Sequence, residues 1–181
     1  MFQTKPQIAL DLIDRAKANG IKVMAWTADE GYGRDGAFLD GLDERNEAWV
    51  IEVPPNAHVW LMKPKVLKTP PENTTSRPKK YPRLRSRERQ PSEIQNLARY
   101  SPAFRKQTPQ NYQIKHTHRG SDVWEIRWST CWRKTHTDNL VSNQCTLIVA
   151  RNVLTDETKY FLSNCVPGCD GWSLRKILRV A

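Results

Sequence analysis

Prolines limit what this chain can fold into, because eight of the twelve lie between residues 63 and 119. Proline fixes φ and lacks an N–H donor, so it is excluded from helix interiors and central strands. The first part of this segment, KPKVLKTPPENTTSRPKKYPRLRSRERQP, also has no repeating apolar face. We therefore predict an extended loop here, with structured parts of the 181-residue chain on either side.

The same segment carries the positive charge of the chain. It holds 15 of the 29 Lys and Arg residues and three of the 19 acidic residues, a local charge of +12, whereas the rest of the chain sums to −2. The densest cluster consists of Lys79, Lys80, Arg83, Arg85, Arg87 and Arg89. Such a cluster predicts a surface that contacts nucleic-acid phosphates. The alternative is a solvated loop that binds no partner.

The first 62 residues alternate between helical and strand patterns. Thr4 with Gln7 predicts a capped helix. The apolar face of this helix is formed by Ile8, Leu12 and Ala16, with Ile13 beside them. An apolar strand follows at 21–28, then a helix with Phe38, Leu39 and Leu42 on one side, then a strand at 48–53. This order predicts an α/β layer with at least two parallel strands.

The second half has a different periodicity. A short helix is predicted between Ser92 and Arg105, interrupted by Pro102. Apolar and polar residues alternate from Val123 to Arg133, and two further strand patterns at 145–153 and 159–164 are separated by a link of hairpin length. This part predicts an antiparallel sheet. The chain ends with the start of a helix that Ser173 can cap.

Asp29 is the strongest candidate for chemistry. It directly follows the strand predicted at 21–28, and open α/β sheets place their sites at the carboxyl ends of parallel strands. A carboxylate there can ligate Mg²⁺ together with water and phosphate oxygens. The competing interpretation is that Asp29 caps a turn, a common role for an aspartate after a strand.

Two weaker signals point elsewhere. Cys165 and Cys169, with His116 and His118, could suggest zinc, but the spacing is unusual and the interpretation as a turn with two free thiols is favoured. The tryptophans spaced by four residues are Trp124, Trp128 and Trp132. They are interpreted as packing residues of the sheet, and base stacking is the alternative.

Several protein classes are excluded by composition. A mean hydropathy of −0.71 and the lack of a long apolar run exclude a transmembrane helix, so we expect no membrane partner. No signal peptide is recognisable at the N-terminus. Four cysteines are too few for a disulfide scaffold and fit a reducing compartment, so a cytoplasmic location is predicted.

The segment VMAWTADEGYGRDGAFLDGL, followed by EAWVIEV, resembles the middle of DDE-type insertion-sequence transposases. In that family a strand ends in Asp, Tyr-Gly follows, and then come a helix with an apolar pair and a strand. Asp29, Tyr32 and Gly33 match this order. The later KYFLSN and SLRKILRVA resemble the approach to the helix that carries the family's third acid.

The resemblance implies an α/β fold, namely a partial RNase H-like fold with a β-rich antiparallel insertion. It implies DNA as the partner, a homodimer as one assembly of the intact family, and two Mg²⁺ (or Mn²⁺) ions held by three carboxylates, of which Asp29 corresponds to the second. The expected parts are a core at 1–62, the basic loop region at 63–119, the β insertion at 120–170 and the start of the final core helix at 171–181.

The positions of the family's first and third acids have no counterpart in this sequence. We therefore expect a piece of a transposase, truncated at both ends, that is inactive by itself and holds Mg²⁺ weakly, because one carboxylate gives too few ligands. The first hypothesis is thus a transposase-derived chain whose family cleaves and transfers DNA strands. The alternative is a non-catalytic basic module that binds DNA or RNA. A third possibility is an interaction domain with a merely solvated loop.

Overall fold

The structure is a computed structural model that describes residues 2–70, 80–85, 87–117 and 120–180. Its six helices in the described part of the chain are α1 (Lys5–Ala18), α2 (Glu30–Gly33), α3 (Gly36–Glu44), α4 (Ile94–Tyr100), α5 (Pro102–Arg105) and α6 (Leu174–Leu178). The strands there are β1 (Trp26–Ala28), β2 (Trp49–Glu52), β3 (His58–Trp60), β4 (Val66–Leu67), β5 (Arg83–Leu84), β6 (Ser92–Glu93), β7 (Gln110–Thr117), β8 (Gly120–Arg133), β9 (Cys145–Asn152) and β10 (Thr158–Ser163).

One mixed sheet organises the molecule. Its strands follow the order β1-β2-β10-β9-β8-β3-β6, and β7 pairs with β8. β1 and β2 are parallel, as predicted, and the other pairs are antiparallel. The predicted fold class, a partial RNase H-like α/β fold with a β-rich antiparallel insertion, is confirmed.

The two faces of the sheet carry separate apolar cores. On one face, Trp49, Ile51 and Leu162 pack with α1, α3 and α4. On the other face, Val50 and Ile148 pack with Ile177 of α6. The alternation of Trp49, Val50 and Ile51 between the two faces follows from the period of two along a strand.

The first predicted helix and strand form, but with differences in burial and length. Thr4 caps α1 through the predicted capping box with Gln7. Ile13 is buried, whereas Ile8 and Leu12 are 44% and 56% exposed, so the predicted apolar face is only partly covered. The strand expected at 21–28 is limited to β1, because β1 pairs only with β2 among the described strands and the preceding residues have no neighbour to pair with.

The antiparallel half of the sheet agrees with the sequence patterns in its main strands. β8, β9 and β10 pair in sequence order, which confirms the hairpin between β9 and β10. β3 and β7 were not predicted. Trp124 and Trp128 pack around the second core, as expected for packing residues of the sheet.

The basic region contains more regular structure than the predicted loop. β4 and β5 form a two-stranded ladder, and β6 pairs with β3. α4 and α5 lie on either side of Ser101, so the predicted interruption at Pro102 is present. The domain boundaries at 62, 119 and 170 stay predictions. No helix in the described ranges is both long and apolar enough to cross a membrane.

A buried ion pair network joins the antiparallel strands to the first core. Arg133, at the end of β8 and 3% exposed, donates to Asp40 Oδ1 at 2.5 Å and to Asp43 Oδ2 at 2.6 Å, both on α3. Asp40 Oδ2 accepts from the backbone of His136 and from Thr137. Burial would raise the pKa of Asp40, but the Thr137 amide and the Arg133 guanidinium more than offset it, and the pKa is lowered.

Candidate functional site

Asp29 lies at the carboxyl end of β1, where the sequence predicted it. It is exposed and caps α2, because its Oδ1 accepts hydrogen bonds from the backbone N–H of Gly31 at 3.0 Å and of Tyr32 at 3.4 Å. Both the expected strand-end position and the competing cap role are therefore present in one residue. The capping bonds hold the carboxylate in a fixed direction relative to the strand end.

The turn after Asp29 is fixed by close packing on β2. A Cβ added to Gly33 would lie 1.9 Å from the carbonyl oxygen of Glu52, so only glycine allows the backbone to approach so closely. The Tyr32 ring packs against Phe38 of α3 with centroids 5.3 Å apart. The Tyr32-Gly33 pair noted in the sequence thus anchors the turn that carries Asp29 to both neighbouring elements.

A cavity of about 460 Å³ lies beside Asp29. It is formed between α1, β1 and α2, and apolar side chains such as Leu12, Ile13 and Trp26 line it. Apart from Asp29, the lining side chains are apolar or uncharged, so the carboxylate lies at the edge of an apolar hollow.

The family resemblance implies divalent metal ions, and the described residues do not fit such a site by themselves. Within the described ranges, no group of three or more His, Cys, Asp or Glu side chains lies together in a way that could hold a metal ion. Asp29 contributes one carboxylate with one oxygen already used for capping. A divalent ion needs several oxygen ligands, so Asp29 by itself is not a complete metal site.

A second concave region, the basic groove, is a cavity of about 740 Å³ lined by four cations, Lys63, Lys65, Arg87 and Arg89, and one acid, Glu88. Its apolar wall includes Trp60 and Leu97. The Trp60 indole N–H donates to the Arg89 carbonyl oxygen at 2.7 Å, which ties the loop carrying the arginines to β3. The β4–β5 ladder holds the two sides together, and Arg85 N donates to Lys65 O at 3.0 Å.

The predicted phosphate-binding cations lie in different surroundings. Lys80, Arg85, Arg87 and Arg89 are exposed. Arg83 is half-buried on β5, its guanidinium stacks 5.2 Å from the centre of the Tyr81 ring, and its Nε is buried with no hydrogen-bond partner among the described residues. Lys79 lies outside the described residues. Sequence reasoning did not single out Lys63 and Lys65, although their place directly before the proline-rich run is a usable signal.

Asp29 and the basic groove lie at opposite edges of the sheet. Five steps in the strand order separate β1 from β3, which borders the groove. At about 4.8 Å per step this is about 24 Å along the sheet. Such a distance corresponds to about seven base pairs of duplex DNA at roughly 3.4 Å each.

The two cysteines considered as zinc ligands differ in their exposure to solvent. Cys165 is buried and its pKa is raised by that burial, whereas Cys169 is exposed. His118 lies outside the described residues. The pair lines a polar hollow together with Asn164 and Trp172.

Most of the chain matches a known protein family. A family model described as DDE superfamily endonuclease matches residues 1–121, two thirds of the chain. The chain belongs to the DDE superfamily of endonucleases. The match includes β1, Asp29, the turn at Gly33 and the residues of the basic groove except Ser129. No curated protein and no solved structure matches the chain.

Membership confirms the resemblance inferred from the residues around Asp29. Proteins of this superfamily are transposase-type nucleases that act on DNA and generally use divalent metals. Sequence reasoning missed the Arg133 network, because Arg133 lies 93 positions from Asp40 and 90 from Asp43, and no local pattern joins residues so far apart.

Proposed function

We propose that this chain is a DNA-binding part of a DDE-type transposase, in which Asp29 is a carboxylate of the strand-cleavage site and the basic groove binds the DNA backbone. The observation that carries the proposal is the fixed position of Asp29 at the carboxyl end of β1, within the part that matches the family. The groove supports it, because four cations against one acid give a surface that attracts phosphates.

The finer expectations from the sequence stay part of this proposal. Mg²⁺ or Mn²⁺ is the proposed ion of the family reaction, and the 181-residue chain by itself is proposed to hold it weakly. Transposition of an insertion sequence is the proposed process. A homodimer and a cytoplasmic location stay predictions.

DNA binding is tested by fluorescence anisotropy with a labelled duplex of about 20 base pairs between about 50 and 200 mM KCl. Each phosphate contact contributes about 0.9 to the slope of log affinity against log salt, so Arg87→Gln with Arg89→Gln should lower that slope by about 1.8. The control is Lys5→Gln with Arg15→Gln, which removes the same charge from exposed positions on α1. If the two double variants show equal slopes of log affinity against log salt, the basic groove is not the surface that contacts the DNA backbone.

Strand cleavage is tested separately with the same duplex and Mg²⁺ or Mn²⁺. We expect the chain alone to bind DNA without nicking it. Nicking that Asp29→Asn abolishes would show that the catalytic set is complete in this chain and would contradict the expected inactivity. Binding without nicking in the presence of either ion is also what the alternative, a non-catalytic basic DNA- or RNA-binding module, requires. Binding of RNA in preference to DNA would favour that module.

A further inference from the structure

Charged side chains from three adjacent strands form a row at the sheet end that carries Asp29. β1 and β2 are in parallel register, so Asp29 and Glu52 occupy neighbouring positions where the two strands end. β10 runs antiparallel along the other side of β2, with Phe161 opposite Glu52. Lys159 lies two residues before Phe161 and therefore on the same face, and its Nζ is 3.3 Å from Glu52 Oε2.

The row is held together by backbone packing. The close approach of Gly33 to the Glu52 carbonyl oxygen presses the turn that carries Asp29 onto the end of β2. On the other side, Val53 N donates to Tyr160 O at 2.8 Å, which fixes the start of β10 against the same strand end. Strand pairing and backbone packing therefore set the backbone positions of Asp29, Glu52 and Lys159 at this end of the sheet.

The Glu52–Lys159 pair has little value for stability. The two side chains are 23% and 36% exposed, and a pair open to solvent contributes about 0–1 kcal/mol. Lys159 also lies 4.0 Å from Glu157. A lysine ammonium has three N–H donors, so the bond to Glu52 orients the group and leaves donors for another acceptor.

A cation at this place has a clear use if DNA approaches Asp29. The row already contains two carboxylates, those of Asp29 and Glu52, and both would repel a phosphate. Lys159 is the member of the row with the opposite charge. Its partly exposed ammonium can offset that repulsion and donate to a phosphate oxygen at the same time.

We infer that Lys159 binds a DNA phosphate beside Asp29 and that Glu52 is a positioning residue, which holds the ammonium at that end of the sheet. This inference rests on the proposed function and adds a contact on β10, which is three steps in the strand order, or about 14 Å along the sheet, from β3 beside the basic groove. One duplex that reaches both places would contact the protein at each end of a segment of about four base pairs.

The test measures the salt dependence of duplex binding for Lys159→Gln, Lys159→Arg and Glu52→Gln. Lys159→Gln should lower the slope by about 0.9 and weaken binding about eightfold at roughly 0.1 M salt, and Lys159→Arg should restore both. Glu52→Gln should weaken binding although it removes a negative charge, because the ammonium is held less firmly. Tighter binding by Glu52→Gln would overturn its positioning role.

Lys17→Gln is the matched control. Lys17 forms a similar pair with Glu47 at 2.7 Å, with side chains 42% and 16% exposed, but Glu47 precedes β2 at the opposite end of the sheet. For Lys17→Gln, the slope of log affinity against log salt should equal that of the unmodified chain. If Lys159→Gln also leaves the slope unchanged while the Arg87 and Arg89 variant lowers it, this inference fails and the proposed function stands. If the unmodified chain shows no salt-dependent binding, both fail.

Discussion

Arg133→Met should destabilise the fold strongly, because it removes one partner of a buried network. The guanidinium is 3% exposed and contacts two carboxylates of α3, and Asp40 is itself 6% exposed. Removing one member of such a pair costs about 3–5 kcal/mol, since the remaining charge is buried without its partner. Asp43 is less affected, because it is more exposed and keeps hydrogen bonds from Trp49 and Asn164.

The assay is thermal unfolding followed by circular dichroism at neutral pH. For a chain of this size, 1 kcal/mol corresponds to about 2–4 °C, so Arg133→Met should lower the Tm by about 6–20 °C. Adding Asp40→Asn should recover part of the loss, because no buried unpaired charge remains at that position. If Arg133→Met lowers the free energy of unfolding by less than about 1 kcal/mol, this network does not act as a stabilising buried ion pair and the reasoning is refuted.

The same variant should change the dependence of stability on pH. The pKa of Asp40 is lowered from its ordinary value of 3.8, despite burial, by Thr137 and Arg133. A group with a lowered pKa in the folded state stabilises the fold above its unfolded pKa, and this contribution is lost as the pH falls through the folded pKa. Without Arg133 the pKa of Asp40 should rise toward or above its ordinary value, so the variant should lose less stability than the unmodified chain as the pH falls. Identical profiles in urea unfolding from pH 3 to 7 would contradict this.

Two further outcomes follow from close packing and burial. Gly33→Ala should destabilise the chain by about 1–3 kcal/mol in urea unfolding, because the added Cβ meets a backbone oxygen. The control Gly31→Ala, whose Cβ would meet only the Asp29 side chain at 3.1 Å, should cost less, and an equal cost would be contrary evidence. With a thiol reagent at pH 8, exposed Cys169 should react first. Cys145 should not react in the folded state, because burial raises its pKa to about 11, and rapid modification of two or more thiols would contradict this.

The elements with local signals could be predicted from the sequence. Thr4 and Ser173 cap helices in the structure as their sequence context indicated, and Asp29 follows β1 directly. The position of a capping residue depends only on hydrogen bonds within a few residues. The alternation in β8 likewise reflects the two faces of a strand, a property of the segment itself.

What could not be predicted depends on contacts between distant residues. The short strand β3 has little pattern of its own, and it forms because β8 and β6 pair with it on either side. The spacing of Ile8 and Leu12 predicts a buried face, but both are exposed, because burial depends on which elements cover that face. Lys159 gains its relation to Asp29 only through the register of β10 on β2, which no local spacing encodes.

The spacing between Asp29 and the basic groove depends on the buried ion pairs that Arg133 forms with Asp40 and Asp43. α3 begins shortly after the turn that carries Asp29, and Arg133 fixes α3 to the end of β8. Arg133 also lies opposite Val59 in the pairing of β8 with β3, next to Trp60, whose indole holds the loop of Arg89. A continuous set of packed and hydrogen-bonded residues therefore joins the acid at one edge of the sheet to the cations at the other. Because Arg133, Val59 and Trp60 in the middle of this set are buried, a duplex that contacts both edges would meet a surface of fixed length.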